Sequence, residues 1–103
     1  MALFCKALAE MGGTFALIFI GGGSIILSER HILPSVCIPI AWGLVVCLMI
    51  MAVGHISGAH FNPAVTLAFA AVKRIPFNQV WFYWTSQLLG GLIAVTLLGV
   101  LNK

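Results

Sequence analysis

The stretch GHISGAHFNPAVTLAFA, residues 54–70, decides the fold of this chain. It lies inside a run of 41 residues, 32–72, that carries no charge when histidine is counted as neutral. One membrane crossing takes about 20 apolar residues, so the run is too long for a single crossing. The quoted stretch divides the run into an apolar segment 36–53, a polar segment 54–61 and a second apolar segment 62–72.

The second apolar segment, 62–72, is about half as long as a membrane crossing. Its 11 residues can form a helix of about 16 Å, whereas the hydrocarbon core is about 30 Å thick. If the chain left on the far side, unpaired loop backbone would lie in lipid, which is costly. We therefore expect 54–72 to enter the membrane as an irregular loop and to return to the same face as a half helix. Irregular backbone at that depth is tolerated where it is buried in protein or lines a water-filled cavity.

The tripeptide Asn62-Pro63-Ala64 marks where the half helix starts. Asparagine is a favoured N-cap residue, and proline at the next position lacks only an N–H that has no partner in the first turn. The positive end of the helix would then face the membrane interior and oppose cations. An Asn-Pro cap on a surface helix of a soluble protein is the alternative. The 18 apolar residues before the polar segment and the cations Lys73 and Arg74 after the half helix favour the membrane.

Composition predicts that this chain lies in lipid. Of its 103 residues, 62% are hydrophobic and 7% are charged, and the mean hydropathy is +1.17. A water-soluble domain of this size could not bury so much apolar surface. The predicted full spans are at about 8–28, 36–53 and 77–101. A cleaved signal peptide is the alternative for the first span, but only one cation, Lys6, precedes it and further spans follow.

The predicted fold class is therefore an all-α membrane protein, in which residues 1–103 form one unit of three transmembrane helices and one re-entrant half helix.

The polar and charged residues argue against several other functions. The five Lys and Arg residues form no basic stripe, so no nucleic-acid partner is expected. No nucleophile lies beside an acid–base pair and no cofactor motif is present, so we expect neither an enzyme nor a cofactor. Cys5, Cys37 and Cys47 lack metal-ligand spacing and are interpreted as small buried apolar side chains, so no metal is expected.

Several segments of the chain carry a family resemblance. The segment SGAHFNPAVT, residues 57–66, resembles the first asparagine-proline-alanine box of the aquaporin, or major intrinsic protein, family. The resemblance extends to AEMGGTFALIFIGGGS at 9–24, to the whole of 41–70, and to KRIPFNQVWFYWTSQLLGG at 73–91. The segment around Trp42-Gly43-Leu44 is most similar to the nodulin-26-like branch. The resemblance covers essentially the whole chain.

The resemblance implies a fold of two inverted repeats, each with three spans and one half helix, whose half helices meet in the middle of the membrane. This chain resembles one repeat, and so half of an aquaporin-like fold. Its box continues with Val65, which is the form of the first repeat, and no segment resembles the second-repeat form in which Arg follows the Ala.

The resemblance also implies a set of pore-lining residues. The amide of Asn62 would donate a hydrogen bond to one permeating oxygen at a time, and Trp42 would form part of a narrow constriction. The alternatives are that Asn62 is only a helix cap and that Trp42 packs against its neighbours or faces lipid. The implied pore set is Asn62, Pro63, Ala64, Trp42, Val46, Leu17, Gly58, Ala59 and His60.

Three polar residues are expected to support the loop. Glu10 is the only carboxylate embedded in a predicted span, near its edge, and ionisable groups there usually have a partner or a task. The resemblance implies that it accepts hydrogen bonds from the loop, near His55 or His60. Gln87 would hydrogen-bond another helix or the loop. Proton transfer by Glu10 and a metal pair formed by the two histidines are the alternatives.

These residues and the resemblance together predict a passive channel for water or small neutral solutes, such as glycerol, urea or metalloid hydroxides. A second repeat would complete the pore, supplied by another copy of this chain or by another half-repeat chain. The alternative is a half-size family member without transport activity of its own, which acts as an assembly partner or is a relic. Val65 supports that alternative, because an inverted homodimer would lack the Arg of the constriction. We expect a multi-pass integral protein of a plasma or inner membrane.

Overall fold

The computed structural model describes residues 2–103 and consists of helices within that range. Helix α1 is Leu3–Glu29, α2 is Cys37–Ser57, α3 is Pro63–Ala71 and α4 is Val80–Leu101. A single 3-10 turn, Phe77–Gln79, leads into α4. Three of these segments, α1, α2 and 77–101, are long and apolar enough to cross a membrane. The predicted fold class, three spanning helices and one half helix, is therefore confirmed.

Helices α1 and α2 are longer than the sequence predicted, and the irregular segment between α2 and α3 is shorter. Helix α1 begins at Leu3, whereas residue 8 was expected. Helix α2 continues to Ser57, so that only 58–62 is irregular between α2 and α3, whereas 54–61 was expected. The helix continues through Gly54 because the glycine costs only about 1 kcal/mol in a helix, less than unpaired backbone costs in lipid. It stops at Gly58, whose φ of 90° is left-handed and whose N–H donates to the Gly54 carbonyl.

Helix α1 is the central element because it packs against both α2 and α4. The α1–α2 pair is antiparallel, since Gly21 lies against Trp42 near one end and Glu10 bonds Ser57 near the other. The α1–α4 pair is parallel, because Glu10 lies level with Gln87. At the other end of this pair, the guanidinium of Arg30 donates to the Asn102 carbonyl over 3.2 Å.

The packing between α1 and α4 depends on a glycine. Gly90 of α4 is buried, and a Cβ at this position would overlap the carbonyl oxygen of Met11 in α1. Backbone therefore lies directly on backbone there, which is how small residues allow close helix contact in membranes.

Many large apolar side chains face outward, and many of the buried side chains are polar. Leu48 and Met51 of α2 and Leu92 of α4 are each at least 60% exposed. Glu10 and Thr66, in contrast, are completely buried. Cys5 and Cys47 are exposed and Cys37 is half-buried, so the expectation that the cysteines are buried is wrong. This arrangement suits a protein surrounded by hydrocarbon, where an outward Leu or Cys costs nothing and an outward carboxylate is expensive.

We predict that Gly90→Ala destabilises the bundle. The added methyl group collides with rigid backbone, and overpacking of this kind costs about 1–3 kcal/mol. The midpoint of thermal unfolding, followed by circular dichroism in detergent micelles, should fall. Gly99→Ala is the matched control, because nothing lies within 4 Å of a Cβ at Gly99 in the same helix. Equal midpoints for the two variants would contradict the close α1–α4 contact.

Candidate functional site

The site is the turn 58–62, in which the chain leaves α2 and starts α3. Three of its residues have left-handed backbone: Gly58 at φ 90°, Ala59 at φ 53° and Phe61 at φ 53°. This conformation costs a non-glycine residue about 1–2 kcal/mol, so Ala59 and Phe61 must be held by their surroundings. The side chain that holds them comes from α1.

The carboxylate of Glu10 accepts four hydrogen bonds, three of them from the end of α2 and the turn. One oxygen accepts from the Ser57 hydroxyl over 2.6 Å and from the backbone N–H of His60 over 3.0 Å. The other accepts from the N–H of Phe61 over 2.8 Å and from the Gln87 amide over 2.8 Å. Bonds that involve a carboxylate are stronger than neutral ones, and unpaired backbone at this depth would be costly. Glu10 therefore determines the shape of the turn.

A second layer of polar contacts holds the turn from the side of α4. The Tyr83 hydroxyl donates to the Ser57 carbonyl over 2.6 Å, which satisfies one of the last carbonyls of α2. The Gln87 amide also donates to the Thr66 hydroxyl of α3 over 2.9 Å. The same hydroxyl lies 2.9 Å from Nδ1 of His60. The buried ring of His60 is 4.7 Å, between centroids, from the rings of both Phe69 and Tyr83.

Asn62 caps α3 from the exposed side of the turn. Its Oδ1 accepts from the backbone N–H of Ala64 over 2.8 Å, and Pro63 occupies the first turn of the helix. Because the cap requires an acceptor, the carbonyl oxygen is bound to the helix and the N–H₂ group points away from it. The carbonyl of Pro63 accepts from the Trp84 indole over 3.0 Å, which ties the start of α3 to α4.

Phe61 sets the depth of the turn. Its side chain is 5% exposed and lies on Gly13 of α1, where any Cβ would overlap the ring. Gly13 follows the first residue of α1 by ten positions, or about 15 Å of helix. The following residue, Asn62, is thereby held close to the level of Gly13 along α1. Phe61 was not among the predicted site residues, although the glycine pair Gly12-Gly13 in α1 is a sequence signal for a close contact.

The pore-lining residues predicted from the sequence fall into two groups. The box residues and Gly58 lie on the turn with exposed surface, whereas Ala59 is half-buried and His60 is buried. Trp42 lies at the α1–α2 interface against Gly21. Leu17 and Val46 are half-buried, and each lies one helical turn from this contact in its own helix.

The three residues predicted to support the loop do not all lie together. Glu10 and Gln87 are buried and hydrogen-bonded to each other and to the turn or α3. His55 lies in the last turns of α2 with an exposed side chain, and none of the four hydrogen bonds to Glu10 comes from it. His60 contributes its backbone N–H to Glu10 and its ring to the aromatic cluster with Phe69 and Tyr83.

The fold and this site define an integral membrane protein with a re-entrant half helix. Residues 1–103 match the family model described as MIP: Major intrinsic protein. Aquaporin NIP3-1 of Arabidopsis thaliana is 48% identical over 95 residues, which are 90% of this chain and 29% of that protein. Aquaporin NIP1-1 of Oryza sativa subsp. japonica is 50% identical over 93 residues, 86% of this chain and 32% of that protein. Nodulin-26 of Glycine max is 47% identical over 91 residues, 86% of this chain and 34% of that protein.

This chain belongs to the major intrinsic protein family. The relatives named above confirm the resemblance to its nodulin-26-like branch. The chain spans about a third of the length of the curated relatives that it matches.

We predict that Glu10→Gln loosens the turn. One oxygen of Glu10 serves the N–H of His60 and the other serves the N–H of Phe61, so the N–H₂ of glutamine must face one of them in either orientation. A buried donor left unpaired costs about 1–3 kcal/mol, and each 1.4 kcal/mol is about tenfold in an equilibrium. Hydrogen exchange at one of these two amides should therefore become about tenfold faster or more.

Glu29→Gln is the matched control for this measurement, because Glu29 is an exposed carboxylate at the other end of α1. Exchange rates in Glu10→Gln that equal those in the control would contradict the role of Glu10 in the turn.

Proposed function

We propose that this chain forms half of a passive membrane channel for water and small neutral solutes. The observation that carries the proposal is that Asn62 is exposed with its side-chain oxygen bound to α3, while a buried carboxylate holds the turn from the opposite side. A purely structural cap would not need such support. The family membership of the whole chain supports the same function.

The turn offers the chemistry that a neutral hydroxyl-bearing molecule needs. The amide of Asn62 donates to a permeating oxygen, because its own oxygen is bound to Ala64. The carbonyl groups of Gly58, Ala59 and His60 accept from the hydrogens of the same molecule. The N-terminal end of α3 carries a partial positive charge, which opposes cations at this point.

The α1–α2 interface supplies the apolar wall. Leu17, Trp42 and Val46 form a surface without charge, so that a solute contacts hydrocarbon on one side and the polar turn on another. A wall of this kind suits water and solutes with a carbon or metalloid body and hydroxyl edges, such as glycerol, urea or metalloid hydroxides. The Trp42 indole is the largest of the three side chains and forms part of the constriction.

A second repeat completes the pore. The exposed side of the turn has no opposite wall within residues 2–103, and the chain spans about a third of its relatives. The second wall comes from another copy of this chain or from another half-repeat segment. Lys6 and Lys73-Arg74 lie at one end of the bundle, and Arg30 and Lys103 lie at the other. This charge bias is weak enough to permit both membrane orientations.

The competing proposal is an assembly partner without transport activity of its own. Val65 favours it, because Val65 follows the box where Arg would stand in a second repeat.

Osmotic shrinkage of liposomes that contain the purified chain tests the proposal. Light scattering should show shrinkage faster than in empty vesicles. Equal rates would contradict channel activity of this chain alone and favour the assembly partner.

We predict that Asn62→Asp lowers water permeability by at least about fivefold, since a lost hydrogen bond is worth about 1 kcal/mol. Aspartate caps a helix as well as asparagine does, so the bond from the Ala64 N–H is retained while the amide donor is removed. Asn78→Asp is the control, because Asn78 is exposed in the 3-10 turn before α4. Unchanged permeability in Asn62→Asp would exclude the amide from the pore.

A further inference from the structure

We propose that Gly21 is a specificity-determining positioning residue, which seats the Trp42 indole against α1 and thereby sets the aperture of the pore. The inference rests on the proposed function, since it takes Trp42 to be part of the constriction. Gly21 itself lies behind the indole and would touch no solute.

The contact between the two residues is direct. Gly21 is buried in α1, and a Cβ built on it would overlap Cδ2, Cε2 and Cε3 of Trp42. These atoms lie along the fused edge and the six-membered ring, so the indole occupies the space that any larger residue at 21 would fill. Trp42 is half-buried, so part of its side chain remains exposed.

The neighbouring glycines do not share this contact. A Cβ at Gly22 would lie 3.0 Å from Leu98 of α4, and one at Gly23 would lie 3.8 Å from the same side chain. Gly22 and Gly23 therefore face α4, and Gly21 is the member of the triplet that faces α2. Gly43, next to Trp42 in α2, has nothing within 4 Å of a built Cβ. The chain thus contains one glycine that seats the indole and one beside the indole that does not.

The shift of the indole ring expected from an added methyl group is comparable to the radius of a water molecule. Carbon atoms pack at about 3.5–4.0 Å, so an alanine at position 21 must move the ring by roughly 1 Å or more. The radius of a water molecule is about 1.4 Å. Because the methyl group grows from α1, it pushes the ring away from α1 and narrows the constriction. A larger solute such as glycerol is excluded before water.

The test is the ratio of glycerol to water permeability in liposomes that contain the full chain. Gly21→Ala should lower this ratio by about tenfold, the lower end of what one methyl-sized change achieves in an apolar site. Gly43→Ala is the matched control and should leave the ratio unchanged. Adding Gly21→Ala to Trp42→Ala should have no further effect, because no ring remains to be moved. An effect of Gly21→Ala no larger than that of Gly43→Ala, or one that persists without the indole, would overturn the inference.

A second measurement tests the contact between Gly21 and the Trp42 indole without measuring transport. In chain labelled with 5-fluorotryptophan, the ¹⁹F resonance of Trp42, assigned with Trp42→Phe, should shift more in Gly21→Ala than in Gly43→Ala, while those of Trp81 and Trp84 stay in place. An equal shift in the two variants would overturn the seat. If Gly21→Ala does not fold, the double variant Gly21→Ala/Trp42→Ala should fold, because the ring that the methyl group would overlap is gone. Failure of the double variant to fold would overturn the Gly21–Trp42 contact.

The two measurements separate the possible failures. Wild-type vesicles no more permeable than empty ones would overturn channel activity of this chain alone and with it the aperture role. The fluorine spectrum alone would then decide whether Gly21 holds the indole. Conducting vesicles with an unchanged glycerol-to-water ratio in Gly21→Ala would overturn the inference and leave the proposed function intact.

Discussion

The carboxylate of Glu10 is the interaction on which the rest of this structure depends. It accepts the backbone N–H groups of His60 and Phe61, which would otherwise be unpaired at a depth without water. It also offsets the left-handed backbone of Ala59 and Phe61, at about 1–2 kcal/mol each. Without this acceptor, the chain between α2 and α3 has no means of turning inside the membrane, and Asn62 has no fixed position.

Helix α1 carries both this carboxylate and the glycines against which other elements pack. The Phe61 ring packs against Gly13, and the Trp42 indole packs against Gly21. Gly90 of α4 packs against the backbone of Met11. Where lipid is as apolar as leucine, close backbone contact and satisfied polar groups stabilise a bundle more than burial of large side chains does. The same helix thus holds both the Phe61 ring of the turn and the Trp42 indole of α2.

The sequence predicted the helices and the cap because length, hydropathy and Asn-Pro chemistry are local properties. The Asn62 cap and Pro63 at the helix start follow from two adjacent residues. The end of α2 was placed too early, because glycine and histidine at 54–55 were taken as irregular although lipid favours helix there. Phe61 and Tyr83 were missed because their roles depend on Gly13 and Ser57, which are distant in sequence, and no periodicity reveals such pairs. His55 was expected near Glu10 because it was placed in the irregular loop, whereas it lies in the last turns of α2 with an exposed side chain.

The central claim is that α3 descends no further than mid-depth and returns to the face from which α1 starts. Spin labels on single cysteines at Val65, Ala68 and Val72, which are exposed positions of α3 and its end, test it through their relative accessibility to oxygen and to a water-soluble nickel complex. The account predicts the greatest depth at position 65, a steady decrease toward 72, and position 72 on the same side as Lys6. A constant depth along α3, or position 72 on the side of Lys103, would contradict it.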